Sequence, residues 1–485
     1  MRARSACFCK RLAIAGIPLC LALTSCRVGP QYSRPPVTTP PAYREGWKQA
    51  EPADATIRGD WWTIFNDPEL NALEQSLNID NQNIVLAFQN YMAARALVQN
   101  ARSALYPTVT VGASATRSGS GPSSTARAAN SISLSSYALP IQVSWEPDLF
   151  GRVRNTIREA ANAAQVSAAT LESTRLSAQA SLAEDYFALR GEDALQQLYD
   201  ATVQSYQESL NLTHALVETG INSPQDVAQA ETNLRTAQAN ATGIGINRAQ
   251  LQHAIALLIG QPASTFSLPV KPLGAVPPEV PIGIPSQLLE RRPDIAAAER
   301  TMAEANALIG IGKAAYYPTI SLTASGGTQS SELSRVFTWP ARFWSLGGSA
   351  SETVLDFGAR RSTVQQYEAQ YNGDVASYRQ TVLNAFKEVE DFLASSRILV
   401  AQLEQQQLAV DAARQYQDIA TTRYKTGLDT YLNVLTAQNA LLNDQLAEVT
   451  LHTNQMTASV QLIAALGGGW NASQLPSEKD VQKRP

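Results

Sequence analysis

Asp148-Leu149-Phe150-Gly151-Arg152-Val153-Arg154 has a counterpart about 207 residues later, Leu355-Asp356-Phe357-Gly358-Ala359-Arg360-Arg361. Working outward, the echo continues in both directions. Leu105-Tyr106-Pro107-Thr108-Val109 returns as Tyr316-Tyr317-Pro318-Thr319-Ile320, and Glu184-Asp185-Tyr186 as Glu390-Asp391-Phe392. Glu218-Thr219-Gly220 returns as Lys425-Thr426-Gly427, and Ala256-Leu257-Leu258-Ile259-Gly260 as Ile463-Ala464-Ala465-Leu466-Gly467. A separation held between roughly 206 and 211 residues over most of the chain is the mark of a tandem duplication.

Each copy predicts one helix, an extended pair and a very long helical hairpin. The opening helices fall near 67–104 and 286–315 and stop before Pro107 and Pro318, since the residue before proline avoids the α region. Alternation, β-branched residues and flanking Gly, Ser or Pro place strands at 106–117, 132–147, 317–328 and 346–357. Loops run from Gly119 to Ser131 and from Ser330 to Phe343. Tyr106, Tyr137, Trp145, Phe150, Tyr316, Tyr317, Trp339, Trp344 and Phe357 gather at the strand ends, as in an aromatic belt at a membrane interface. Beyond the strands come the arms. No proline lies between Gly358 and Trp470, and only Pro224 between Arg152 and Gly260. Positions 428, 432, 435, 439, 442, 446, 449, 453, 456, 460 and 463 step by fours and threes, as do Val227 through Leu258 in the first copy. That is a coiled-coil seam. An arm of about 60 residues runs roughly 90 Å, deeper than any compact domain.

The ends define the compartment. Arg2, Arg4, Lys10 and Arg11 precede an apolar stretch, Leu12 to Leu23, that is too short to span a bilayer and reads as a signal peptide. Leu23-Thr24-Ser25-Cys26 resembles a lipobox, with Cys26 as the lipid-bearing mature N-terminus and Arg27 favouring outer-membrane sorting. Cys7, Cys9 and Cys20 leave with the signal, so no disulfide or thiol chemistry is expected. Loss of the four basic residues takes the formal charge from −4 to about −8, and no basic stripe points to nucleic acid. No later run is long enough for a transmembrane helix. Four strands of about 12 residues suit tilted membrane strands, which need roughly 9–11. They cannot close a barrel alone, and an open edge cannot sit in lipid. Two chains would give about eight strands and a filled interior; three would give about twelve, with room for a lumen.

The lipobox, the twin Tyr-Pro-Thr strand starts, Leu149-Phe150-Gly151-Arg152-Val153-Arg154, and Arg292-Pro293-Asp294-Ile295 make one group of motifs. Arg423-Tyr424-x-x-Gly427, Leu432-x-Val434-Leu435-x-Ala437-Gln438 and the ending Ala465-Leu466-Gly467-Gly468-Gly469-Trp470 make another. Together they resemble the TolC-type outer membrane factors, in their NodT-like lipoprotein branch serving multidrug efflux. The resemblance spans nearly all of the mature chain. It implies a mainly α fold with β: a homotrimer with a 12-stranded barrel in the outer membrane and a helical tunnel in the periplasm. The chain then divides into a signal peptide (1–25), a lipid-anchored extended segment (26–66), a first repeat (67–260), an equatorial linker (261–285), a second repeat (286–470) and a tail (471–485). The implied partners are a periplasmic adaptor and an inner-membrane transporter of the resistance–nodulation–division type. The implied function is a passive exit duct for drugs and toxic small molecules.

No catalytic constellation is present. His214, His253 and His452 stand singly, and Gly310-Ile311-Gly312-Lys313 lacks the Gly and Ser/Thr of a phosphate loop because positions 307 and 314 are Ala. No metal site or cofactor beyond the covalent lipid on Cys26 is expected. Glu184 and Asp185 read as solvated faces or contacts to a neighbour. The hairpin turns, Thr219 to Ser223 and Thr426 to Thr430, offer Gly220, Ile221, Ser223, Gly427, Leu428 and Thr430 as adaptor-docking tips, with glycine ending each helix. Just inside the tips, Leu432 and Thr436 are gate candidates, and Asp226 or Asp429 could supply negative charge; Leu432 could equally pack the seam. A coiled-coil spacer explains the arms but not the strands. A duct for protein secretion or metal export is the rival reading; few methionines and the lipobox weigh against it.

Overall fold

In the computed structural model the described residues are 27–44, 59–119, 133–220, 223–274, 276–278, 280 and 287–483. The duplicated runs, Asp148 to Arg154 and Leu355 to Arg361, are helix-starting devices. Asp148 accepts from the backbone N–H groups of Val153 and Arg154 at 3.1 and 2.9 Å, and Asp356 from those of Gly358 and Arg360 at 3.0 and 3.2 Å. A carboxylate there satisfies orphan first-turn donors and meets the positive end of the helix dipole. The helices that follow, α3 (Arg152–Glu218) and α7 (Ala359–Lys425), have 67 residues each, so each is roughly 100 Å long.

Shorter helices stack end to end beside these two. Helices α1 (Pro68–Asp80) and α2 (Gln82–Ser103) precede α3, and α4 (Pro224–Leu258) returns from its far end. Helices α5 (Leu288–Arg291) and α6 (Pro293–Ala314) precede α7, and α8 (Tyr431–Ala465) returns from it. Toward the strands the wall packs in the order α2, α3, α6, α7; toward the tips it packs α4, α3, α8, α7. The opening helices are each broken, which corrects the continuous helices expected. Asn81 is extended at ψ 117° and its side chain caps α2 through the N–H groups of Asn83 and Ile84, while Pro293 forces Arg292 out of the helical region.

Strands β1 (Thr108–Val111), β2 (Ser114–Gly119), β3 (Ser133–Trp145), β4 (Thr319–Ser330) and β5 (Arg342–Ser351) form one antiparallel sheet. Strands β1 and β2 both pair with β3, then come β4 and β5. The first expected strand is split at Gly112 and Ala113. Gly112 donates to the Pro140 carbonyl at 3.0 Å, but proline has no hydrogen to return. The last strand begins four residues earlier than expected, at Arg342, and stops at Ser351, because Glu352 to Phe357 make the turn that positions Asp356. The loop expected from Gly119 to Ser131 falls almost wholly outside the described residues, as do the signal peptide, Cys26 and Ile221.

An equatorial core surrounds the middle of α3. Trp61, Trp62 and Phe65 pack with Leu70, Leu77, Tyr186, Phe187 and Leu268. The segment after α4 is bolted to it by ions: Arg190 reaches Glu69 at 2.7 Å, Asp193 at 2.9 Å and the Pro269 carbonyl at 2.8 Å. Asp193, fully buried, also accepts from Arg248 Nε at 2.6 Å and from the Lys271 amide at 2.9 Å. The N-terminal strap, 27–44, starts against Gly151, where the Val28 amide donates to the Phe150 carbonyl at 3.1 Å. It then follows α6 through Tyr32 on Glu299 (2.6 Å) to the Arg44 amide on Glu390 (2.8 Å). The tail leaves the equator instead of staying in it: Val481 of α9 (Glu478–Val481) is buried against Val98, Ala161 and Ala164.

Candidate functional site

The sheet has two chemically different faces. Cross-strand partners share a face, so the register joins Val109, Val111, Ile141, Val143, Trp145, Leu322, Ala324, Trp344 and Leu346 on one side. Thr108, Thr110, Gln142, Ser144, Thr323, Ser325 and Ser345 occupy the other. The apolar residues are not covered: Val111, Trp344 and Leu346 are 77, 79 and 76% exposed. A sheet with bare hydrocarbon on one face and hydroxyls on the other separates lipid from water. Aromatics mark the end nearest the helices, where Phe150 stacks on Tyr317 at 4.8 Å and Trp145 Nε1 donates to the Leu105 carbonyl at 3.0 Å. Among the described residues no helix is long and apolar enough to cross a membrane.

The opposite end of the molecule carries the tips. Gly220 (φ +78°) and Gly427 (φ +72°) each adopt the left-handed conformation that ends a helix. The two turns are finished differently. Ser223 and Asp226 form a reciprocal capping box at the start of α4. Asp429 instead accepts from the Thr430 amide at 2.9 Å, from Asn433 and from Arg423 at 3.3 Å. The bond from Asn433 leads the causes that hold the Asp429 carboxyl below the usual aspartate range. Both candidate acids are therefore committed within their own chain. Leu428 and Leu432 are 71 and 58% exposed, and Thr436 is exposed with its hydroxyl on the Leu432 carbonyl at 2.8 Å. Leu432 does not pack the intramolecular seam, which corrects the expected step at 428, 432 and 439 but not at 435; Tyr431, Val434 and Gln438 are buried beside Leu435 instead. The first-copy seam holds, with Ala230, Leu234, Ala237, Ile244 and Ile255 buried.

A lock between the two hairpins lies just inside the tips; its Tyr424 and Gln438 belong to quoted motifs, but none of its residues was given a role from the sequence. Tyr424 and Tyr431 are buried with ring centres 5.6 Å apart, and the Tyr424 hydroxyl donates to Thr213 Oγ1 at 3.1 Å. Gln438 donates to Ser209 Oγ at 2.7 Å and Tyr206 to Asn439 Oδ1 at 3.3 Å. Burial pushes the Tyr206 phenol up to about 12, so it remains a donor. The signal was available: Tyr424, Tyr431 and Gln438 are spaced by sevens, a polar line inside a heptad seam. The decoys resolve into packing. Gly310 lies against Asn155, and Gly312 against Val364 and Tyr367, so these glycines let α6 approach its neighbours. Glu184 and Asp185 are half-buried, not solvated, and burial raises both carboxyls. No group of three metal-ligating side chains occurs among the described residues.

Comparison with known proteins agrees with this geometry. The sequence profile of the outer membrane efflux proteins matches residues 73–261 and 284–468. The toluene efflux pump outer membrane protein TtgC of Pseudomonas putida is 33% identical over 457 residues, 92% of this chain and 93% of its own. The antibiotic efflux pump outer membrane protein ArpC of the same species matches to the same extent. The outer-membrane channel OprN superposes with a TM-score of 0.85 at 29% identity, over 92% of this chain and all of its own. The fold, the bare apolar sheet face and these matches have one meaning: the chain belongs to the outer membrane efflux protein family and works in the outer membrane.

Proposed function

We propose that three copies of this chain join their sheets into one twelve-stranded barrel and their helices into one periplasmic tunnel. The assembly is the passive exit duct of a tripartite pump, carrying drugs and other toxic small molecules from the periplasm to the exterior. The observation that carries this is the open sheet. Strands β1 and β2 form one edge and β5 the other, and neither edge has a partner among the described residues. An unpaired edge beside an apolar face cannot rest in lipid. Mass measurement of the purified protein in detergent tests it: trimers are expected, and a monodisperse monomer overturns the proposal.

The duct is anchored by lipid on Cys26, with residues 26–66 as the anchored segment. The strap supports this, since residue 27 lies against Gly151 at the border of sheet and helices. Labelling with a radioactive fatty acid should mark the wild type and not Cys26→Ser. At the other end a periplasmic adaptor docks on Gly220, Ile221, Ser223, Gly427, Leu428 and Thr430, coupling the duct to an inner-membrane transporter. Leu432, free of its own seam, forms an apolar ring around the axis with Thr436 one turn beyond.

A further inference from the structure

The five strands contain two charged side chains, Arg117 and Arg342. Register fixes where they point. Arg342 pairs with Thr328, which pairs with Leu139, and Arg117 pairs with Ser135, two residues from Tyr137. Both therefore stand on the apolar face, in line with Leu139, Ile141 and Val143. Both are also near the strand ends that lead away from the helices: Arg117 is two residues from the end of β2 at Gly119, and Arg342 opens β5 after the turn that follows β4.

Among the described residues no acid neutralises them. The acid of the β4–β5 loop, Glu332, is paired with Arg335 at 3.0 Å. Among the described residues no carboxylate pairs with Arg117 or Arg342. Arg342 instead lies over the Trp339 ring, 3.7 Å from its centre. Around it Trp339, Phe337 and Trp344 are 75, 83 and 79% exposed. A guanidinium facing lipid is tolerated near the interface and calls for an anion there, and its planar fork matches phosphate oxygens two at a time.

We propose that Arg117 and Arg342, with Trp339, bind a phosphate-bearing glycolipid of the outer leaflet. The assignment rests on the barrel reading above. Closing the barrel brings the β5 edge of one copy to the β1–β2 edge of the next, so Arg342 and a neighbouring Arg117 flank each subunit boundary. Two guanidiniums on separate strands suit a wide headgroup with two phosphates better than a single phosphodiester. The exposed aromatics supply apolar contact for the acyl chains.

Native mass spectrometry of the full-length protein decides the matter. The probes are a bisphosphorylated hexa-acyl disaccharide lipid, the same lipid without phosphates, and phosphatidylglycerol. Wild type should hold the bisphosphorylated lipid at least tenfold more tightly than either other probe. R117Q/R342Q should lose at least tenfold of that affinity, while R117K/R342K keeps most of it and R335Q keeps all of it. Equal affinity of the wild type for the three lipids overturns the proposal, as does undiminished binding by R117Q/R342Q. The same spectra report oligomeric mass, so failure of the barrel appears as monomers and failure of the lipid site as bare trimers.

Discussion

Asp193 holds the equatorial segment onto the long helix, and replacing it with Asn should release that segment. The change keeps size and removes charge. It takes one of two carboxylates from the Arg190 guanidinium, 3% exposed, leaving Glu69, and deprives Arg248 of its 2.6 Å partner. Breaking one partner of a buried ion pair costs about 3–5 kcal/mol. The lower end applies here, because Arg190 retains Glu69 and the Pro269 carbonyl, and Arg248 retains the Leu268 carbonyl at 2.9 Å. At ~1.4 kcal/mol per factor of ten, local opening becomes roughly 100-fold more populated. Chymotrypsin reads this directly, since Phe266 lies in the tethered segment and cleavage tracks the open population when reclosing is fast. Cleavage after Phe266 should rise about 100-fold while the long helices remain intact. An unchanged rate, or loss of all helical signal together with cleavage, would refute the reasoning.

Tyr424→Phe removes the bond to Thr213 and should weaken the contact between hairpins by about 1 kcal/mol, read as a rise in open probability in planar bilayers. Leu432→Ser should raise it further without lowering thermal stability, since the side chain packs on nothing in its own seam; a large fall in stability instead would return Leu432 to a packing role. Gly220→Asp and Gly427→Asp force a side chain into positive φ at the tips; resistance should be lost with trimers intact, and normal resistance in both removes the docking role. The Asp429 carboxyl is depressed in the folded tip, so its stabilisation is present above the ordinary value of 3.8 and is lost as acid protonates it. Amide protection at the start of α8 should accordingly fall only in strong acid, and Asp429→Asn should abolish that dependence.

The duplication, the two arms and the turn glycines were legible because they depend on local rules: proline exclusion, heptad spacing and left-handed glycine. What escaped depends on partners remote in sequence. The break at Asn81 is fixed partly by its side-chain bond to the Leu258 carbonyl at 2.7 Å, which no window around residue 81 contains. Leu435 kept its expected place in the seam of α8 near the tip, but Tyr431 took that of Leu432 because Tyr206, Leu210 and Tyr424 fill the facing surface. Strand β5 was expected four residues too late, and only its pairing with β4, Arg342 on Thr328, reveals that Arg342 belongs to it. Arg342 therefore fell in the loop expected from Ser330 to Phe343, whereas Arg117 closed the strand expected over 106–117, and only the register puts the two on one face.

Strand β3 belongs to the first half of the chain and β4 to the second, and the bond joining Gln329 to Ser136 spans 193 residues. This separation governs biogenesis. A chain threaded into the periplasm from its N-terminus presents β1 to β3 long before β4 exists to cover them. For that interval an apolar, unpaired ribbon travels through water, prone to join any other edge it meets. A holding chaperone would shield such a ribbon, and the sheet can be sealed only after the second half has emerged. Shortening the delay, by circular permutation that makes β3 and β4 neighbours in synthesis, would lessen the need for escort.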